Sequence, residues 1–163
     1  MTQRLNILKQ HGLGLNDIQA VIADMGPFEG AKEFVEWVST HFQLIILSDT
    51  FYEFAHPLMK QLGWPTIFCH KLETDEEGMI TAYKLRQPDQ KRQAVKALHG
   101  LNFRVIAAGD SYNDTTMLGE ADHGFLFDAP ENVIAEFPQF PPIRGYDALK
   151  EAIRNASVRD IPA

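Results

Sequence analysis

The sequence contains very little cysteine. Cys69 is its single cysteine among 163 residues, which excludes an internal disulfide bond and is typical of a protein from a reducing compartment. With no second cysteine, thiol chemistry or a cysteine-based metal site is weakly supported. Because Ile67 and Phe68 precede it, we predict that Cys69 is an ordinary buried strand residue.

Clustered positive charge and long apolar segments are also missing. The chain has 15 Lys and Arg residues against 22 Asp and Glu residues, and this net charge of -7 argues against a nucleic-acid partner. Without a long apolar segment or a signal-like amino terminus, we expect neither a membrane partner nor secretion, and hence a cytoplasmic protein. A hydrophobic content of 45% suffices for one globular domain with its own core.

The strongest motif present is a polar loop behind an apolar run. Residues 105–108 (VIAA) are predicted to form a buried parallel strand, and the hexapeptide GDSYND follows at 109–114. Open α/β sheets bind ligands at the carboxyl ends of their strands. Asp110 would therefore project from the strand end, with Asn113 and Asp114 in the next turn, as oxygen ligands for Mg²⁺. The alternative is an Asx turn that only caps a helix.

A second strand-like run ends in hydroxyl groups. Residues 44–47 (LIIL) are followed by Ser48, Asp49 and Thr50, and then by a helical pattern over 51–62. Hydroxyl and backbone N–H groups at such a junction suit phosphate binding. A simple helix N-cap at Ser48 or Asp49 is the competing interpretation.

Lys91 opens an amphipathic stretch after the helix breaker at residues 88–89. As a point charge at a helix start, it could reach a phosphate in the same strand-end cleft. A lysine considered in isolation is, however, most often exposed.

Alternating strands and helices predict an α/β fold, with a parallel sheet covered by helices on both faces. A β-hairpin over 72–85, turning at 76–78, interrupts the alternation. The predicted helices are two short ones within 4–23, then 28–38, 51–62, 90–99, 114–120, 131–136 and 146–156; the predicted strands are 44–47, 66–69, 104–108 and 124–127.

The order strand–Ser, Lys–helix, strand–Gly-Asp-x-x-Asn-Asp resembles motifs of the haloacid dehalogenase superfamily. Residues 46–54, 105–117, 129–134 and 138–141 bring the resemblance closest to its phosphoserine phosphatase branch, specifically the bifunctional phosphoserine phosphatase/homoserine kinase type called ThrH. The resemblance implies a Rossmann-like three-layer parallel sheet. It divides the chain into a remnant helical cap over 1–27 and an incomplete α/β phosphatase core over 28–163.

The resemblance also implies roles for individual residues. Asp110 would be the Mg²⁺ ligand, and Asp114 would support the metal shell or its bound water. Lys91 would bridge the nucleophile and the phosphate, and Asn113 would contact the phosphate or the substrate. Ser48, and less firmly Thr50, would bind the phosphate. Arg4 would bind the substrate carboxylate. Ser48, Lys91, Asp110 and Asp114 are expected to converge on one cleft at the carboxyl ends of the strands. The implied substrate is O-phosphoserine, with homoserine as a second phosphoryl acceptor; a homodimer is one option for the oligomeric state.

The family's nucleophile motif is the main departure. Members attack phosphorus with an aspartate on the first strand, in an Asp-x-Asp or Asp-x-Glu motif. This chain starts at Met1 with a segment that resembles the middle of the cap, so we expect the nucleophile strand to be absent. Asp24 follows an apolar triplet, but Gly26 stands where the acid/base carboxylate is needed, and the preceding residues recur at helical spacing.

Two interpretations therefore stay open. The chain is either a phosphoserine phosphatase-type enzyme whose nucleophile segment is missing here, or an inactive fragment or pseudo-enzyme that at most binds phosphorylated ligands. In both cases we predict that Asp24 lies at a helix end and is not a nucleophile.

Overall fold

The structure, a computed structural model, describes residues 7–8, 10–159 and 161. The chain divides into two compact units, Met1–Pro88 and Asp89–Ala163. This division differs from the predicted boundary between cap and core after residue 27, which stays a prediction. Within the described residues, no helix is long and apolar enough to cross a membrane.

Over its described residues from 15 onward, the first unit combines three helices with a mixed sheet. Its strands lie in the order β1-β2-β3, with β1 parallel to β2 and β3 antiparallel to β2. Helix α1 packs against α3. In chain order the elements are α1 (Leu15–Met25), α2 (Ala31–His41), β1 (Ile45–Phe51), α3 (Tyr52–Gln61), β2 (Thr66–Thr74) and β3 (Ile80–Lys84).

Strand β2 is longer than predicted because it serves two partners. Its first half pairs in parallel with β1 as far as His70, and its second half pairs with β3 from Lys71 onward. The predicted hairpin is confirmed. Its turn is held by Asp75, whose Oδ1 accepts the N–H groups of Glu77 (3.1 Å) and Met79 (2.8 Å).

The second unit alternates helices and strands as the sequence predicts. All pairs in its sheet, ordered β4-β5-β6, are parallel. The sequence pattern did not predict β6, whose two residues are too few to show a period. The elements are α4 (Gln90–Gly100), β4 (Ile106–Gly109), a 3₁₀ turn (Tyr112–Asp114), α5 (Thr115–Glu120), β5 (His123–Phe127), α6 (Glu131–Glu136), β6 (Pro142–Ile143) and α7 (Tyr146–Ala156).

Each sheet has an unpaired edge among the described residues. Strand β1 pairs only with β2, and β4 pairs only with β5, in the part of the chain that the structure describes. The α/β class and the parallel pairing predicted from the sequence are confirmed.

Cys69 and Asp24 lie where the sequence analysis placed them. Cys69 lies in β2 and is 1% exposed; burial, aided by the charge of Glu53, raises the pKa of its thiol to about 11. It is therefore a poor nucleophile at neutral pH. Asp24 lies in the last turn of helix α1, which ends before Gly26 (φ +67°). The prediction of a helix end is confirmed.

Candidate active site

The loop after β4 is organised around the side chain of Asp114. Its Oδ2 accepts hydrogen bonds from the N–H groups of Asp110 and Ser111, both at 3.1 Å, and from the Ser111 hydroxyl at 3.0 Å. Ser111 and Asp114 thus form a capping box around the 3₁₀ turn. The predicted Asx-type capping is present, and the residues that shape the turn also place Asp110 at its rim. The predicted role of this loop in binding metal and phosphate stays a prediction.

Gly109 is required by the close approach of Asp114. A Cβ at position 109 would lie 2.5 Å from both Cβ and Cγ of Asp114 and 2.8 Å from its Oδ2. No real Cβ contact is that short, so only glycine lets the carboxylate fold back under the strand end. The Gly-Asp pair is therefore a packing requirement of this loop.

Lys91 is buried, unlike most lysines. Its Nζ lies 2.8 Å from Oδ1 of Asp114, and the two residues are 9% and 5% exposed. Helix α4 starts at Gln90 behind Asp89, which has a left-handed backbone (φ +47°), so Lys91 lies in the first turn. Lys91 is therefore not a surface lysine, and its predicted role toward phosphate stays a prediction.

The pair sets the charge state of Asp114. Burial by itself raises the pKa of this carboxyl, but the hydrogen bond and charge of Lys91, together with the Ser111 hydroxyl and N–H, lower the pKa below its ordinary value. Asp114 therefore stays ionised at neutral pH. Because protein groups donate four hydrogen bonds to its two oxygens, the geometry suits a role in positioning Lys91 and the loop. Its predicted part in the metal shell stays a prediction.

We expect this pair to contribute to acid sensitivity. A carboxyl whose pKa is lower in the folded state stabilises the fold above its ordinary pKa, and this stabilisation is lost as pH falls through the folded-state pKa. In the Asp114→Asn variant, the free energy of unfolding should therefore decrease less steeply as the pH is lowered below 5. Urea denaturation of both proteins at pH 7, 5, 4 and 3 measures this. Parallel curves for the two proteins would show that Asp114 contributes nothing to the pH dependence.

Asp110 and Asn113 present oxygen atoms at the rim of the loop. Both residues are exposed, and the Asp110 carboxylate has no hydrogen bond or ion pair among the described residues. No group of three or more acidic, His or Cys side chains that could hold a metal occurs in the described part of the chain. One carboxylate with a neighbouring amide nevertheless fits Mg²⁺, which keeps several waters and is usually bound by one or two carboxylates with substrate phosphate.

Ser48, Asp49 and Thr50 form a bulge in the first unit. Regular pairing stops at Leu47↔Phe68 and resumes at Phe51↔His70, so three residues of β1 lie opposite Cys69 alone. The prediction that this strand ends at Leu47 is therefore wrong, because β1 continues through the bulge to Phe51. Helix α3 then starts at Tyr52. Within the bulge, the Thr50 N–H donates to Ser48 Oγ at 3.3 Å.

His70 is a buried neighbour of this bulge that sequence analysis missed. Its Nδ1 accepts the Arg86 N–H at 3.1 Å, so a neutral ring carries its proton on Nε2, which lies 3.8 Å from Asp49 Oδ1. A histidine in the middle of an apolar strand gives no sequence signal of such a contact. Ser111 could have been found, since Ser-x-x-Asp is a capping-box pattern.

The predicted site residues fall into different parts of the chain. Lys91, Asp110, Asn113 and Asp114 belong to the second unit, which brings Lys91, Asp114 and the Asp110 backbone together. Ser48 and Thr50 belong to the first unit, and Arg4 lies outside the described residues. The predicted convergence of Ser48, Lys91, Asp110 and Asp114 on one cleft stays a prediction.

Comparison with known proteins identifies the family. The sequence profile of the haloacid dehalogenase-like hydrolases matches residues 4–122. The chain belongs to this family.

Two curated relatives from Pseudomonas match nearly the whole chain. A phosphoserine phosphatase of Pseudomonas syringae pv. tomato is 61% identical over 161 residues, which cover 99% of this chain and 68% of that protein. The phosphoserine phosphatase ThrH of Pseudomonas aeruginosa is also 61% identical, covering 99% of this chain and 78% of its own length.

Solved structures share the fold. The phosphoserine phosphatase of T. onnurineus in complex with NDSB-201 aligns with a TM-score of 0.68 at 22% identity, covering 91% of this chain and 72% of that chain. A phospho-aspartyl intermediate analogue of phosphoserine phosphatase aligns with a TM-score of 0.69 at 18% identity, covering 88% and 70%. These similarities support the haloacid dehalogenase-type fold assigned from the motifs.

Proposed function

We propose that this chain carries the phosphate- and metal-binding part of a phosphoserine phosphatase-type phosphotransferase that acts on O-phosphoserine. The observation that carries the proposal is the buried Lys91–Asp114 pair beneath the Asp110 loop. A lysine this buried, held by an ionised carboxylate at a strand end, suits the binding of an anion such as phosphate. The two Pseudomonas relatives, both named phosphoserine phosphatases, indicate the substrate.

Each residue at this loop has a proposed role. Asp110 and Asn113 would hold Mg²⁺, and Asn113 would also contact the phosphoryl group. Lys91 would offset the negative charge that develops in phosphoryl transfer. Asp114 orients Lys91 and, through the Asp110 N–H, the loop itself. When bound, Mg²⁺ would supply further neutralisation of phosphate charge.

The hydroxyl groups of Ser48 and Thr50 are proposed to donate to phosphoryl oxygens. Ser48 and Thr50 are half-buried and lie in the bulge, where hydroxyl and backbone N–H groups of the kind that bind phosphate occur together. We retain Arg4 as the proposed partner of the substrate carboxylate, since a guanidinium forms bidentate hydrogen bonds with that group.

We further propose that residues 1–163 by themselves turn over little O-phosphoserine. The family's reaction needs an aspartate nucleophile beside an acid/base carboxylate, and Asp24 is in a helix. The Asp-x-Glu sequence at 75–77 lies in a hairpin turn. There the Asp75 carboxylate accepts hydrogen bonds from backbone N–H groups of the turn. An inactive chain that binds phosphorylated ligands is the second candidate.

Activity assays test these proposals. The 163-residue chain and a version extended at its amino terminus by a family Asp-x-Glu strand are assayed for O-phosphoserine hydrolysis with Mg²⁺. We expect turnover only from the extended form, and its loss in that form on Asp110→Asn. Strong Asp110-dependent turnover by the short form would show that its nucleophile is present. Failure of both forms, with phosphoserine still bound in calorimetry, would favour the second candidate.

Phosphoryl transfer to homoserine is the finer proposal for the same site. The resemblance to the bifunctional type supports it, because hydrolysis and transfer differ only in the acceptor that resolves the phosphoenzyme. Adding homoserine to the extended form should then yield phosphohomoserine at the expense of inorganic phosphate. An unchanged phosphate yield would restrict the activity to hydrolysis.

A further inference from the structure

Tyr112 ties the Asp110 loop to helix α6. Its hydroxyl donates to Glu136 Oε2 at 2.8 Å and accepts a hydrogen bond from Asn132 Nδ2 at 3.1 Å. Its ring packs edge-on against Phe137, with centroids 5.9 Å apart. All three partners lie in α6 or directly after it, 20 to 25 positions along the chain. Tyr112 is nevertheless 45% exposed, so burial of the ring does not explain its contacts.

The position of Tyr112 in the loop gives these contacts a functional meaning. Tyr112 lies two residues after Asp110 and directly before Asn113, the two proposed oxygen donors. The backbone beneath the loop is held by Asp114, and the Thr115 hydroxyl donates to the Tyr112 carbonyl at 2.9 Å. The outer side of the loop is held by the Tyr112 hydroxyl. A loop fixed on both sides loses less conformational entropy when its donors bind a cation.

We propose that Tyr112 is a positioning residue that sets the affinity of the Asp110 loop for Mg²⁺, acting through its hydrogen bonds to Glu136 and Asn132. This inference rests on the proposed role of Asp110. The hydroxyl contact to a carboxylate is charge-assisted and hence among the stronger hydrogen bonds on a protein surface. Its loss frees Asp110 and Asn113 to sample positions that do not bind metal. Tyr112 is not itself proposed as a ligand of the cation.

The test measures Mg²⁺ affinity by calorimetry on the full 163-residue chain. Tyr112→Phe keeps the ring and its contact with Phe137 but removes both hydroxyl bonds; we expect Mg²⁺ to bind about three- to tenfold more weakly. Glu136→Ala should weaken binding similarly, whereas Glu136→Gln keeps an acceptor and should restore most of the affinity. The double variant Tyr112→Phe with Glu136→Ala should bind Mg²⁺ no more weakly than Tyr112→Phe alone, since that single variant already lacks the contact with Glu136.

Arg144→Ala is the matched control. It breaks the exposed ion pair between Arg144 and Glu131, and Glu131 lies in α6 like Asn132 and Glu136. Because this pair does not contact the loop, the variant should leave Mg²⁺ affinity unchanged. Thermal midpoints without Mg²⁺ are recorded for every variant. A Tyr112→Phe variant with a lower midpoint and unchanged affinity would reduce Tyr112 to a structural residue and overturn the inference.

Asp110→Asn separates this inference from the function on which it rests. If Asp110→Asn abolishes Mg²⁺ binding and Tyr112→Phe weakens it, both stand. If only Asp110→Asn has an effect, the role of Tyr112 is wrong while the metal site survives. If Asp110→Asn binds Mg²⁺ like the original chain, the proposed metal ligand is wrong, and the inference falls with it.

Discussion

Replacing Lys91 with methionine is expected to lower the free energy of unfolding by about 3–5 kcal/mol. Methionine fills much of the space of the lysine stem, so the main loss is the charge that faces Asp114 at 2.8 Å. The carboxylate, only 5% exposed, would keep its hydrogen bonds from the loop but lose its ionic partner. Small domains have a total stability of about 5–15 kcal/mol, so this loss is a large fraction.

Urea denaturation at pH 7 measures this effect, and the neighbouring residue supplies the control. Arg92, which lies in the same helix as Lys91, forms an ion pair of the same length, 2.8 Å, with Glu120 of α5. The Arg92 side chain, however, is 42% exposed. Arg92→Met should therefore lower the unfolding free energy by less than about 1 kcal/mol. Equal losses for the two variants would mean that burial does not distinguish the pairs. Adding Asp114→Asn to Lys91→Met should recover part of the loss, because the unpaired charge is removed.

Gly109→Ala is expected to destabilise the second unit by about 1–3 kcal/mol and to displace Asp114. The added methyl would overlap Cβ and Cγ of Asp114 at 2.5 Å, atoms close to the backbone that cannot rotate away as a flexible chain end could. We expect the Lys91–Asp114 contact and the Asp110 N–H bond to weaken together. Urea denaturation reports the stability, and loss of Mg²⁺ binding in calorimetry would report the displaced loop.

Gly119→Ala is the control for this substitution. Gly119 lies in helix α5 of the same unit, and a Cβ there would meet only Phe140 Cζ at 3.8 Å, an ordinary contact. Because alanine is the better helix former by about 1 kcal/mol, this variant should be neutral or more stable. If both alanine variants behave alike, the close approach at Gly109 is absent in solution.

The sequence by itself determined the order of elements and the local shape of the main loop. Apolar runs and breakers predicted the parallel strands and the α4 and α7 helices, because periodicity and turn residues act over neighbouring positions. The Gly-Asp-Ser start and the Asn-Asp end of the loop carry their own capping pattern, so the rim position of Asp110 followed from local chemistry. The family assignment rested on the same short motifs.

Only the tertiary structure decided what lies between these segments. Lys91 and Asp114 are 23 positions apart, and nothing near either residue tells a surface lysine from a buried one. The bulge at 48–50 depends on which residues of β2 pair with β1, and β6 exists only because Pro142 and Ile143 reach β5. Tyr112 likewise acquires its role from a helix 20 residues away. Such contacts arise from packing between distant elements, and therefore leave no periodic trace in the sequence.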